Sequence, residues 1–585
     1  MNFSTILTTR NILILVLLHA LALKLTGLSY GLPHAFRADE ESILGGALRM
    51  LELKTVIPAL HPTMVIMNYP PYLPYIYMVF LTPVIGALYV LSGFPDMDTF
   101  KIIIFENMGV LFYTARFSSV LISLATIWVT YKISKLVFKN EGVALFAALI
   151  QSLDFISNFT SHFARHWNGT TLTIWLAVYF SLLIANSPTR KDYILTGLTS
   201  GFGFGISYSF GGLGIFAGGV AHLYQHLQKK WPWKDFINRD ALYLSGTFLF
   251  LACLAMALHP SAVLRLIVGN VAGLDEAKSI AGWLEAIAFY MGGLADANPL
   301  LLVLSVAAIV LLLIQRRTNI VIWGVGILLF YLTILYITVT PETRYIIVAA
   351  PLLATASGYV LHWLIQHPFP TFVRILTTGL VVTFISYPLV CAWYENVLLS
   401  RDDTREQGIA WLEANLPEDA RIVFDLNGAF IRPSHEALLE QKQIEPSSLN
   451  AHSRTLLQAY ENKNEFLDTP SRRKYHAIHT RRFTEPMLST SLEGEFLNFW
   501  KAKGYEYYAI EYSGELRNSD FHKVIRAEGE RLAIFRPAKH GDNLPTYLRS
   551  TALLSEPVHS IFQFGRFGPI VEIYRIAKPS NETSR

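Results

Sequence analysis

The sequence predicts a polytopic α-helical membrane protein with about eleven transmembrane helices, followed by a C-terminal extracytoplasmic α/β domain. Three observations predict it. The chain has 585 residues, of which 52% are hydrophobic and 16% charged, which is too apolar for a soluble protein of this length. The apolar excess lies before about residue 395, in runs long enough to cross a bilayer. After Glu395 the composition turns polar, and no run of membrane length follows. Residues 1–395 are read as the membrane module and 396–585 as the outer domain.

Composition also excludes function classes. A net charge of +4 makes no case for nucleic-acid binding. Cys253 and Cys391 both lie in hydrophobic runs and form neither a disulfide nor a zinc framework. The first apolar run, 11–30, has no small-residue cleavage site after it and reads as a retained span.

Basic clusters between apolar runs should face the cytoplasm. Arg10 places the N-terminus inside, and the acidic stretch from Asp39 outside. Lys132, Lys135 and Lys139 end the span 112–131 inside; 142–159 leads out, and 169–186 returns to Arg190 and Lys191. The Gly-rich run 192–227 makes two passes to Lys229 and Lys230, its glycines serving helix packing. Spans 241–259, 299–315, 319–338, 345–364 and 374–393 complete the count. The run 72–92 is apolar enough to cross, but a crossing there would invert every later loop. With Pro74, Pro83 and its leading tyrosines, it is expected to dip into the outer leaflet or lie along it. The first outer loop is then 31–111. In the outer domain, 401–417 reads as a helix stopped by Pro417, and RIVFDL, YEYYAIEY, RLAIFRP and PIVEIYRI read as strands.

This topology collects ionisable residues on the outer face. The first outer loop opens with Arg37, Asp39, Glu40 and Glu41, ahead of a helical face of Ile43, Leu44, Ala47, Leu48 and Leu51. Asp39 stands at a helix N-cap position, a role compatible with chemistry, and Glu40 and Glu41 suit a solvated first turn. The second outer loop carries His162, Arg165, His166, Trp167 and Asn168. Arg344-Tyr345 forms a third group, with His259 and Arg265 beyond another span. Ionisable groups at membrane depth are costly unless paired or functional. A sugar on a polyprenyl phosphate has a leaving group that needs cations rather than a proton, and arginine forks match phosphate oxygens. The acceptor hydroxyl needs a carboxylate to take its proton. One acid in the first loop and arginines in later loops, Arg165 and Arg344 first, make a sufficient set. His162 and His166 are four residues apart and suit a metal pair, so a divalent metal is a candidate cofactor; beside Trp167 they suit interfacial anchoring better.

DEESILGGALRML, Pro58 and YPPYLPY, then TARFSSVLISLATIWVTYKISKLVF, SHFARHWNGT, PETRYIIVAAPLL and DDTREQGIAWLEANLPEDARI occur in one order. In that order they resemble the GT-C membrane glycosyltransferases, the family of protein O-mannosyltransferases and the lipid A aminoarabinose transferase. The resemblance covers most of residues 1–425. It implies an inverting transferase with Asp39 as the catalytic carboxylate and a polyprenyl-phosphate-sugar donor. The chain departs from the family at Asn168, where many relatives carry Asp. It departs again at Asn68-Tyr69, where a lysine often precedes the loop proline. Arg165, Arg344 and Arg116 are then the candidate donor-phosphate contacts, with Tyr69, Glu40, Arg37, His162, His166 and Asn168 in support.

The expected function is transfer of a sugar to a hydroxyl on a protein, glycan or lipid, at the outer face of a prokaryotic plasma membrane. Two other classes stay open: a transporter or flippase, for which Asp154 and Lys24 inside apolar runs are the relevant residues, and a non-catalytic membrane scaffold.

Overall fold

The computed structural model describes residues 8–34, 38–60, 70–208, 210–260, 279–338, 342–444, 449, 451–462, 474–479, 493–512, 520–539 and 558–576. The membrane module opens with α1 (Thr9–Leu25), α2 (Ala38–Glu52), α3 (Tyr72–Leu91), α4 (Met97–Glu106) and α5 (Met108–Phe138). It continues through α6 (Glu141–Ser152), α7 (Phe155–Ser161), α8 (His166–Asn186), α9 (Arg190–Phe204), α10 (Gly214–Gln228) and α11 (Arg239–Leu258). It closes with α12 (Ile280–Ala297), α13 (Pro299–Ile314), α14 (Thr318–Thr338), α15 (Ala350–Gln366) and α16 (Thr371–Leu399).

Among the described residues, seven helices are long and apolar enough to cross a membrane, and nine spans result if each of two bent helix pairs counts as one. The Gly-rich run contributes none of these, because it divides into α9 and α10 at 15 residues each. Its glycines do pack helices: a Cβ at Gly197 would lie 2.3 Å from the Leu244 carbonyl oxygen, and one at Gly201 would lie 2.8 Å from that of Phe248, both on α11. The run expected to lie in the outer leaflet forms one helix, α3, whose length and apolarity also suit a crossing. The tyrosine at its start is fixed: the Tyr72 hydroxyl donates to the Leu251 carbonyl at 2.7 Å, and its N–H to that of Gly205 at 3.0 Å.

The two bent pairs explain the polar residues inside apolar runs. Helices α6 and α7 bend by 56° and α12 and α13 by 117°. Bending frees backbone groups that lipid cannot satisfy. Asp154 caps α7, accepting from the Ser157 N–H at 2.8 Å, and also accepts from Asn298 Nδ2, at the other bend, at 2.8 Å. One side-chain pair thus pins both breaks. Lys24 of α1 is fully buried, donates to the Ser157 carbonyl at 3.4 Å, and lies within Coulombic reach of Asp154 and of Glu395 on α16. Asn158 Nδ2 in turn donates to Glu395 at 2.8 Å. The ionisable groups in these spans therefore compensate one another across α1, α7 and α16.

Helix α16 reaches Leu399, and α17 (Thr404–Asn415) begins the C-terminal α/β domain five residues later. The domain continues with β1 (Arg421–Asp425), α18 (His435–Ile444), α19 (Ala451–Glu461), β2 (His476–His479) and α20 (Glu493–Ala502). It ends with β3 (Tyr507–Tyr512), α21 (Asp520–Glu528), β4 (Glu530–Phe535) and β5 (Ile570–Arg575). The sheet order is β2-β1-β3-β5-β4, with β1 parallel to β2 and β3, and β5 antiparallel to β3 and β4. Alternation gives each face a core. Ile422, Phe424, Ala509, Val571 and Ile573 pack against Ile409 and Leu412 of α17. On the reverse face Val423, Tyr508, Ile510 and Tyr574 pack against Leu497, Trp500 and Ile525. All four expected strands and the 401–417 helix form; β2 is an addition, too short for periodicity to reveal.

Among the described residues the domain meets the membrane module through apolar contacts and hydrogen bonds, one of them from the Tyr30 hydroxyl to Asp403. Leu438, Leu456 and Leu457 of α18 and α19 bury Ile102 of α4. Ile561, Phe564 and Phe567 join Leu398 in the bundle core, and the Tyr394 hydroxyl donates to the Phe564 carbonyl at 2.8 Å.

Candidate active site

Helix α2 forms because Ile43, Leu44, Ala47 and Met50 repeat at helical spacing, and all four are fully buried against α3 and α5. That packing decides where its N-terminus lies. The helix starts at Ala38, so Asp39 stands in the first turn and not at the cap; its side chain lies outside the described residues, as do Arg37, Tyr69 and Arg265 entirely.

The next residue departs from expectation. Glu40 is not a solvated first-turn acid but is fully buried. Its carboxylate accepts from Arg116 Nε at 2.7 Å and Nη2 at 2.8 Å, and from the Ala164 N–H at 2.8 Å. Arg116 Nη1 donates to the carbonyls of Leu28 at 2.9 Å and Tyr30 at 2.8 Å. Four of its five N–H bonds are thereby used, and the guanidinium packs 5.4 Å from the Phe163 ring. Arg116 is 1% exposed. Its geometry is that of a tie between segments, not of a group facing a donor phosphate.

The loop between α7 and α8 is held from the other side by His162. Nδ1 lies 2.9 Å from the Asn158 carbonyl and Nε2 2.9 Å from that of Thr26. Burial, with Lys24 and Arg116 nearby, pushes its pKa down to about 4. Both ring nitrogens are turned onto backbone oxygens, so His162 does not pair with His166 as a metal ligand. Among the described residues no three His, Cys, Asp or Glu side chains group as a metal site would require.

Beyond Ala164 the loop opens α8 with Arg165 at the N-cap and no side-chain cap on the first N–H groups. Across from it, residues Thr343–Ala349 form a 3-10 turn. Arg344 stacks on Trp167, its guanidinium carbon 5.2 Å from the ring centroid, and pairs with Glu342 at 2.5 Å. Trp167 lies 4.1 Å from the His166 ring and 4.9 Å from that of Tyr345. The charges of Arg165 and Arg344 both act on His166 and on Tyr345, so the two guanidinium groups converge on one aromatic wall. Asn168 is buried, and its Nδ2 has no hydrogen-bond partner among the described residues. His259 is buried as well.

Two arginines, an aromatic wall and an uncapped helix N-terminus suit an anion. The Glu40–Ala164 bond sets the turn that carries Asp39 beside the loop that carries Arg165. Trp167 and Tyr345, which the sequence placed beside the charged groups only as an interfacial anchor and a neighbour of Arg344, form the wall, and Tyr30, to which the sequence gave no role, packs on Phe163 of the same loop.

Residues 100–259 match the family model described as dolichyl-phosphate-mannose-protein mannosyltransferase. Over that stretch the chain is similar to the GT-C membrane glycosyltransferases that the model describes. The matched stretch contains Arg116 and the whole 161–168 loop, while Asp39 and Arg344 lie outside it. No curated protein matches the chain. Among solved structures, the chain is similar to the Cupriavidus metallidurans ArnT bound to undecaprenyl phosphate. The identity is 13%, with 97% of this chain and 99% of that one covered and a TM-score of 0.44. It is also similar to the Archaeoglobus fulgidus oligosaccharyltransferase tethered to an acceptor peptide, at 12% identity, 85% and 69% coverage and a TM-score of 0.41. A further structure of AglB from that organism, with an inhibitory peptide and a dolichol-phosphate, matches at 11% identity, 90% and 73% coverage and a TM-score of 0.39.

Proposed function

We propose that the chain transfers a sugar from a polyprenyl-phosphate-linked donor to a hydroxyl of a protein, glycan or lipid at the outer face of the membrane, with inversion. The family match supports glycosyl transfer as the class of activity. The observation that carries the finer reading is the Glu40–Ala164 hydrogen bond, which joins the acidic turn to the arginine-bearing loop.

In this reading Asp39 takes the proton of the acceptor hydroxyl as its oxygen bonds to the anomeric carbon. The bond from that carbon to the phosphate oxygen breaks, and the polyprenyl phosphate leaves with the electron pair. Arg165 and Arg344 hold the charge that develops on it. Attack opposite the leaving group inverts the anomeric centre. The partners are the donor lipid, the acceptor and the surrounding membrane lipids. The N-terminus is assigned to the cytoplasm of a prokaryotic plasma membrane and the α/β domain to the outside.

The test is Asp39→Asn in membranes supplied with a labelled polyprenyl-phosphate sugar. Loss of transfer with unchanged expression and thermal unfolding is expected. Full residual transfer by a folded variant overturns the assignment.

A further inference from the structure

A second assembly lies where α10 ends and α11 begins. Residues Trp233–Asp235 form a 3-10 turn that opens the apolar run Trp233–Leu258, so the turn sits where that run would meet the headgroups. It is rigidly built. His222 bridges the Tyr193 hydroxyl at 3.0 Å and the Phe236 carbonyl at 2.8 Å. The Trp231 N–H donates to the His226 carbonyl at 3.2 Å, and the Phe236 N–H to that of Trp233 at 3.1 Å. Asn238 caps α11, accepting from the N–H groups of Asp240 and Ala241. The buried His226 ring is enclosed by Trp233 at 5.0 Å and Phe236 at 5.3 Å.

This frame presents an unusual face. Trp233 is 66% exposed and Ile237 75%, with one face of the Trp233 ring on His226 and the rest turned outward. Lys229, Lys230, Lys234 and Arg239 are exposed around them. Arg190 and Lys191, at the start of α9, add to the same end of the bundle, because the Arg190 guanidinium carbon lies 5.0 Å from the Tyr243 ring of α11. Of the nearby acids, Asp192 is buried in the α9 capping box, while Asp235 is exposed and Asp240 half-buried. Cations therefore outnumber acids about two to one. An aromatic belt alone needs only the tryptophans; a cluster of cations at headgroup depth attracts anionic headgroups.

We propose that this face binds the headgroups of anionic phospholipids. Trp233 and Ile237 enter the acyl boundary, and Lys229, Lys230 and Lys234 hold the phosphates. The inference is independent of the transfer reaction. A water-exposed acidic protein partner fits less well, because the turn begins a membrane-length apolar run.

The experiment uses the purified full chain in phosphatidylcholine vesicles with and without phosphatidylglycerol, with lipid retention read by native mass spectrometry. At roughly fivefold per cation, the combined Lys229→Gln, Lys230→Gln and Lys234→Gln variant should lose about 100-fold in preference for phosphatidylglycerol. The three corresponding Lys→Arg changes should retain it. Unchanged preference in the Gln variant overturns the proposal. So does an equal loss from Lys139→Gln, Arg316→Gln and Arg317→Gln, which removes three cations elsewhere. A measurement that needs no variant uses phosphatidylglycerol with a photoreactive headgroup on the unaltered chain. Crosslinks within 229–239 are expected, and crosslinks confined to other segments overturn the site, as does preferential capture of a soluble acidic protein at this face.

Discussion

Arg116 and Glu40 form a buried bidentate ion pair, Nε to Oε1 at 2.7 Å and Nη2 to Oε2 at 2.8 Å. It joins α5 to the first turn of the helix that carries Asp39. Removing one partner of such a pair leaves a buried charge uncompensated, at about 3–5 kcal/mol. Arg116→Met should therefore destabilise the chain by that amount. Combining it with Glu40→Leu should recover part of the loss. Arg116→Lys should behave more like the Met variant than like the parent, because a lysine cannot supply the fork. Denaturation of the purified chain in detergent checks all three.

The C-terminal domain is tied to the same loop through Tyr30. Its hydroxyl donates to Asp403 and its carbonyl accepts from Arg116. Its ring packs edge-on against Phe163 at 6.2 Å and Phe567 at 5.9 Å. Asp403 is also held by Arg405, at 2.8 and 3.0 Å, so Tyr30→Phe removes one bond without orphaning the acid. A hydrogen bond to a charged group is worth about 1.5–3 kcal/mol. The variant should show a loss of that order and faster proteolysis between Leu399 and Thr404, with the bundle intact.

Arg344 on Trp167 is the contact that tests the phosphate reading. Arg344→Ala should raise the donor KM by roughly 10- to 100-fold, the equivalent of losing one charge-assisted bond, while unfolding is little changed. Trp167→Leu removes only the cation–π part, about 0.5–2 kcal/mol, and should have the smaller effect. Unaltered donor KM in both variants would remove these residues from the donor site.

His162 makes stability depend on pH. Burial pushes its pKa down to about 4, whereas an unfolded histidine takes a proton near 6.5. Between these values the unfolded chain binds more protons, so stability is complete above pH 6.5 and falls as the pH drops toward 4, by about 3 kcal/mol across the window. A neutral ring donates one N–H, so only one of the two carbonyls at 2.9 Å receives a proton. His162→Gln should be less stable than the parent at pH 7 but should lose less on acidification, as seen in thermal unfolding at the two ends of the window.

Much of this architecture was legible in the residues. Ile43, Leu44 and Ala47 announced the buried face of α2 by their spacing, and the alternation in RIVFDL and PIVEIYRI announced two central strands. The role of Glu40 was not legible. An acid in a helix first turn is an ordinary surface feature, and only Arg116, 76 positions away, makes it a buried one. Arg116 was misleading for the converse reason: an arginine near the start of a span suits a lipid phosphate until its carboxylate partner is known. Asp154 and Lys24 suggested a transport pathway in isolation, but the helix breaks they serve are visible only when Asn298 and Glu395 are brought alongside.

The sequence by itself determined the solvent of each part of the chain, because bilayer length, residue periodicity and the change of composition after Glu395 are properties of consecutive residues. It also supplied the ingredients of the site, an acid in the first loop and arginines in two later ones. Only the tertiary structure decided which of those charges are consumed in holding loops together and which converge on a shared wall. A carboxylate or guanidinium takes its role from the nearest opposite charge, and for Glu40 that partner, Arg116, lies 76 positions away, beyond the reach of any local pattern.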